Sequence, residues 1–182
     1  MMNIPNILTV IRLVMIPVMV VVFYLPWQYG QIVAAVIFAV AAITDWLDGW
    51  LARRLEQSTP FGAFLDPVAD KLMVVIALAL LVEDFHRPMF TIPALIIIGR
   101  EIVISALREW MAELGKRANV SVSWLGKVKT TLQMISIIVL MAYGPLLPVW
   151  LLWTGYVLLC VAVALTVWSM VLYLSAAWEH MR

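Results

Sequence analysis

Apolar runs of about twenty residues recur along this 182-residue chain between short polar interruptions, a pattern that predicts an all-α polytopic membrane protein with six transmembrane helices. The first helix lies between Met1 and Leu25. Arg12 interrupts its apolar run and no small-x-small pattern follows, so a retained helix is expected rather than a cleaved signal. Pro26 to Gly30 reads as a turn, with Trp27 and Tyr29 of the types that favour the membrane interface. The second helix runs from about Gln31 to Leu51, and the third from near Phe64 to about Val82. The fourth reaches about Met111, with Pro88 and Pro93 in its first turns. From Thr130 to Ala177 there is no charged residue, which leaves room for two spans, divided by Gly144-Pro145 and Pro148. The whole chain, 1–182, reads as a single membrane domain.

Composition strengthens this picture. Sixty-five per cent of the residues are hydrophobic and the mean hydropathy is +1.02, which excludes an ordinary soluble domain. The net charge of +1 gives no reason to expect nucleic acid as a partner. Six spans put the Asp45 to Asp70 connection, the Glu113 to Lys129 connection and both termini on one side. Of the Lys and Arg residues only Arg87 falls in a loop on the other, so the aspartate side is expected to be cytoplasmic. His86, beside Glu83, Asp84 and Arg87, reads as a solvated loop residue. The single Cys160 cannot form an intramolecular disulfide and reads as packing.

Candidate chemistry concentrates where the second helix ends and the third begins. Asp45 and Asp48 stand at i, i+3 and Asp66 and Asp70 at i, i+4, so on helices each pair projects from one face. Thr59, Pro60 and Gly62 break the chain between them, which lets two antiparallel helices bring the pairs together. An aspartate at the centre of a membrane helix costs ~3 kcal/mol, so four together require compensating positive charge, and Arg53 and Lys71 alone are too few. Four converging carboxylates make an oxygen-only cage suited to Mg²⁺ or Mn²⁺, two ions ~4 Å apart sharing the ligands. Such a site suits phosphoryl transfer, with one carboxylate left to take a proton from an attacking hydroxyl.

Further polar residues lie near this cluster. Asn6, Thr9 and Arg12 make a stripe on the first helix that, taken alone, reads as a cap with a snorkelling arginine. In the fourth helix Glu101, Ser105 and Arg108 share a face while Arg100 points elsewhere. Arg100 and Glu101, embedded in an apolar run, read either as lining a wet interior or as a snorkelling intrahelical pair.

The run Asp45-x2-Asp48-Gly49-x2-Ala52-Arg53-x8-Gly62-x3-Asp66-x3-Asp70 resembles the signature of the CDP-alcohol phosphotransferase family of membrane enzymes at eight positions of fixed spacing. Pro5-Asn6-x2-Thr9-x2-Arg12 is similar to that family's N-terminal feature. The stretch from Arg100-Glu101 to Gln133 resembles bacterial members that use sn-glycerol 3-phosphate. The resemblance implies six helices, a homodimer, and a dimetal site facing the cytoplasm from the bacterial inner membrane. Asp45, Asp48 and Asp66 would be metal ligands, and Asp70 both ligand and general base. Gly49 and Arg53 would contact the CDP moiety, with Thr59, Asn6 and Thr9 as further nucleotide-pocket candidates. The implied reaction passes a phosphatidyl group from CDP-diacylglycerol to the primary hydroxyl of sn-glycerol 3-phosphate and releases CMP.

A phosphate-bearing acceptor requires basic residues beside the cage, for which Arg108, Lys127, Lys129 and Arg100 are the candidates. Ordinary positive-inside flanking charge is the competing explanation for them. Phosphatidylglycerol, serine or inositol phosphate are alternative acceptors. A divalent cation transporter is the alternative of another class, but it would call for broken helices or an inverted repeat near the midplane, and neither is visible.

Overall fold

The computed structural model describes residues 4–55, 60–113 and 124–181, and among them finds six helices and no strand. They are α1 (Ile4–Tyr24), α2 (Gly30–Leu55), α3 (Pro60–Phe85), α4 (Pro88–Glu113), α5 (Trp124–Ala142) and α6 (Val149–Met181). Three contain stretches long and apolar enough to cross a membrane: Asn6–Tyr24, Pro88–Met111 and Val149–Ser175. A shorter apolar stretch covers Gly30–Asp45.

Helix α1 shows how the sequence sets the packing. Thr9, Arg12, Ile16, Met19 and Phe23 follow one another at three- and four-residue steps and all are buried, so one face turns inward along its length. That face is polar near its start and apolar after Ile16. The opposite face exposes Ile7, Ile11, Val14, Val18 and Val21, as expected of a surface solvated by lipid tails rather than water.

Small residues let the neighbours close in. Ala34, Ala35 and Ala41 of α2 are buried beside Phe38 and join Met73, Ala77 and Leu78 of α3 in the core. Ile137, Leu140 and Met141 of α5 and Leu159 of α6 complete that core, with α5 packed on both α2 and α6. The α1–α2 turn is tight: a Cβ on Gly30 would come within 2.9 Å of the Val22 carbonyl oxygen, so a larger residue there would push the turn apart.

The largest boundary differences from the sequence reading flank the aspartate connection. Helix α2 continues past Leu51 to Leu55, and α3 begins at Pro60 rather than near Phe64. Proline suits a first helical position because its missing N–H would have no intrahelical partner there. Pro60 therefore starts the helix, and Gly62, taken as a turn former, lies buried within it. Thr59 lies outside the described residues.

Candidate active site

Helix α1 carries the side chains that hold two of the aspartates. The Arg12 guanidinium donates from Nη1 to Asp45 Oδ1 at 2.5 Å, and Thr9 Oγ1 donates to Asp66 Oδ1 at 2.5 Å. Thr9 and Arg12 are one helical turn apart, so a single face of α1 reaches α2 through one and α3 through the other. Asn6, one turn earlier, is also buried. This corrects the reading of Arg12 as a snorkelling residue. Its relative exposure is 0%, and it supplies positive charge that the acidic cluster demands. Thr9, a nucleotide-pocket candidate, is in contact with Asp66.

Asp70 lies one turn beyond Asp66 on α3. Its charged neighbours are Asp45, Arg12, Glu101 and Lys71, which places it between the aspartate cluster and α4. The side chains of Asp48, Gly49, Arg53 and Arg108 lie outside the described residues, although their helices are defined. Asp45, Asp66 and Asp70 offer only carboxylate oxygen, a donor set that fits hard divalent cations and not soft ones. Among the described residues no three acidic, His or Cys side chains gather closely enough to enclose an ion.

Beside Asp70 opens a cavity of about 360 Å³ between α3, α4, α5 and α6. Lys71, Arg100 and Lys129 line it, facing the carboxylates of Asp70 and Glu101. Arg100 Nη1 donates to Glu101 Oε1 at 2.6 Å and Nη2 to Ser169 Oγ at 3.2 Å. Lys129 Nζ stands 3.5 Å from the same Glu101 oxygen, and Lys71 donates to Ser105 Oγ. Arg100 and Lys129 are both buried. Both readings of Arg100 and Glu101 are met in part: the two form an intrahelical pair, and that pair lines an interior cavity with Arg100 buried rather than snorkelling. Arg100 also does not point away from Glu101, since its guanidinium folds back onto that carboxylate.

Of the acceptor candidates, the structure thus brings Arg100 and Lys129 together. Lys127 is exposed on α5 and does not line the cavity. Lys71, Gln133, Ser169 and Tyr173 line it without having been singled out as site residues. Lys71 was legible only as a counter-charge. The others had a signal available in the spacing, because Lys129, Gln133 and Ser136 on α5, and Thr166, Ser169 and Tyr173 on α6, recur at helical steps in otherwise apolar runs.

The family model described as CDP-alcohol phosphatidyltransferase matches residues 2–175 of the chain. Among curated proteins, a CDP-diacylglycerol–glycerol-3-phosphate 3-phosphatidyltransferase of Pseudomonas fluorescens is 55% identical, over 100% of this chain and 93% of its own length. Proteins of the same name from Salmonella choleraesuis and Escherichia coli K12 are 58% and 57% identical, each over 96% of this chain and 94% of the relative.

Proposed function

The chain belongs to the CDP-alcohol phosphatidyltransferase family, and from that membership we propose that it transfers the phosphatidyl group of CDP-diacylglycerol to the primary hydroxyl of sn-glycerol 3-phosphate. The products are phosphatidylglycerophosphate and CMP. The acceptor oxygen attacks the phosphorus that bears the diacylglycerol, the bond from that phosphorus to the CMP oxygen breaks, and the hydroxyl proton passes to Asp70. The similar curated proteins point to sn-glycerol 3-phosphate, and one observation carries the choice of a phosphate-bearing acceptor over a neutral one. The cavity that begins at Asp70 is lined by Lys71, Arg100 and Lys129, the cationic wall that a phosphate monoester needs and a neutral alcohol does not.

Asp45, Asp48, Asp66 and Asp70 would hold two Mg²⁺ or Mn²⁺ ions. When bound, these neutralise the pyrophosphate and ease departure of CMP. Arg12 and Thr9 fix the rotamers of Asp45 and Asp66 in advance. Gly49 and Arg53, with Asn6, Thr9 and Thr59, would receive the CDP moiety. The reading further assigns six spans, a homodimer, and an active site on the cytoplasmic side of the bacterial inner membrane; the basic residues of the Glu113 to Lys129 connection support that orientation.

The test is an assay of purified protein in detergent with CDP-diacylglycerol and Mg²⁺, with and without sn-glycerol 3-phosphate, following CMP and the lipid product together. Acceptor-dependent CMP release with phosphatidylglycerophosphate, abolished by EDTA, is expected. CMP release that requires phosphatidylglycerol, serine or inositol phosphate instead would keep the chemistry and overturn the acceptor.

A further inference from the structure

Within the proposed acceptor cavity, we infer that Glu101 is a specificity-determining residue: a resident carboxylate that occupies the place of the acceptor's phosphate between Arg100 and Lys129 until the acceptor arrives. This inference rests on the acceptor reading above. Its first support is position. Glu101 lines the cavity rather than backing it, is 27% exposed at its side chain, and contacts both buried cations through the same oxygen, Oε1. A phosphate placed to take two charge-assisted hydrogen bonds from Arg100 and Lys129 would meet that oxygen.

The second support is packing. Among the described residues the backbones of α4 and α5 nowhere come close, so the Glu101–Lys129 pair bridges two helices that stand apart. At 3.5 Å this contact is the looser of the two that Glu101 makes, and it is the one that gives way first.

The third support is that Arg100 does not depend on Glu101 alone for its placement. Arg100 is also held by Ser169, whose hydroxyl donates in turn to the Thr166 carbonyl at 2.9 Å. Its buried Nε has no hydrogen-bond partner among the described residues, a donor in reserve for an anion. Two buried cations without a counter-ion would be costly in a membrane bundle, which accounts for a carboxylate there when no substrate is bound. With the phosphate bound, the same carboxylate repels it. Acceptors that carry two negative charges overcome this repulsion by replacing Glu101 on both cations, and neutral alcohols gain nothing from doing so.

Glu101→Gln tests the inference, because the amide oxygen still accepts from Arg100 while the negative charge is gone. The apparent KM for sn-glycerol 3-phosphate is expected to fall by roughly fivefold or more relative to the KM for CDP-diacylglycerol, and inorganic phosphate becomes a correspondingly stronger competitor of the acceptor. A rise in the acceptor KM, or no change in it, would overturn the inference by making Glu101 an organiser of the cations or a bystander. Should Glu101→Gln not fold, Glu101→Asp draws the carboxylate back by one methylene, and the same fall in KM, smaller in size, is expected. An unchanged or raised KM would again overturn it. If the wild-type protein transfers to no phosphate-bearing acceptor, the acceptor reading fails, which is distinguishable from a wild type that uses sn-glycerol 3-phosphate and a variant that does not bind it more tightly.

Discussion

Arg12 replaced by alanine would leave the Asp45 carboxylate without the cation that meets it at 2.5 Å. Because the Asp45 side chain is 40% exposed, water recovers part of the loss. The expected destabilisation is about 2 kcal/mol, read as a lower thermal midpoint in detergent, with Arg12→Lys retaining part of it. Asp70→Asn belongs to the same scale of argument. As the proposed base it would lower kcat by at least about a hundredfold while CDP-diacylglycerol still binds, and near-normal turnover in that variant would reject the assignment. The spacing of the four aspartates was legible because it is local, set by i, i+3 and i, i+4 steps. The partner of Arg12 was not, since it lies 33 residues away on another helix and the apolar flanks are equally compatible with snorkelling. Arg100 and Lys129 were legible together as acceptor candidates, but the link between Lys129 and Glu101 was not, for the same reason: that ion pair crosses from α4 to α5.

Helix α5 meets α6 at a point of minimal volume. A Cβ on Gly155 would stand 2.8 Å from two atoms of the Leu140 side chain, which is itself fully buried, while Ser136 Oγ donates to the Gly155 carbonyl at 2.7 Å. Gly155→Val should therefore separate the two helices, costing about 1–3 kcal/mol, and Leu140→Ala in the same background should recover part of it by making room. Loss of stability that is independent of Leu140 would refute this packing account. Length and apolar periodicity made all six helices visible, including the division between α5 and α6 at Gly144 to Pro148. Proline was the weaker guide. Pro60 opens a helix, where no N–H is needed, while Pro17, Pro67 and Pro93 lie inside helices that continue despite the hydrogen bond each proline forgoes.

The bundle as a whole is turned outward for lipid, with Trp150, Trp153, Val157, Trp168 and Val171 of α6 exposed, and its buried polar groups collect toward the end that carries the aspartates. Our account places that end in the cytoplasm. In a Cys160→Ser background, a cysteine at the exposed Lys127 should react with a membrane-impermeant thiol reagent only after cells are opened, and one at His86 in intact spheroplasts. The reverse pattern would invert the topology. The claim on which everything else depends is that the cavity beside Asp70 receives the acceptor's phosphate. The most direct measurement is steady-state kinetics of Arg100→Ala, varying each substrate in turn. The KM for sn-glycerol 3-phosphate is predicted to rise by at least about tenfold, the value of a lost charge-assisted hydrogen bond, with the KM for CDP-diacylglycerol little altered. Equal effects on both substrates, or an effect on CDP-diacylglycerol alone, would contradict the account.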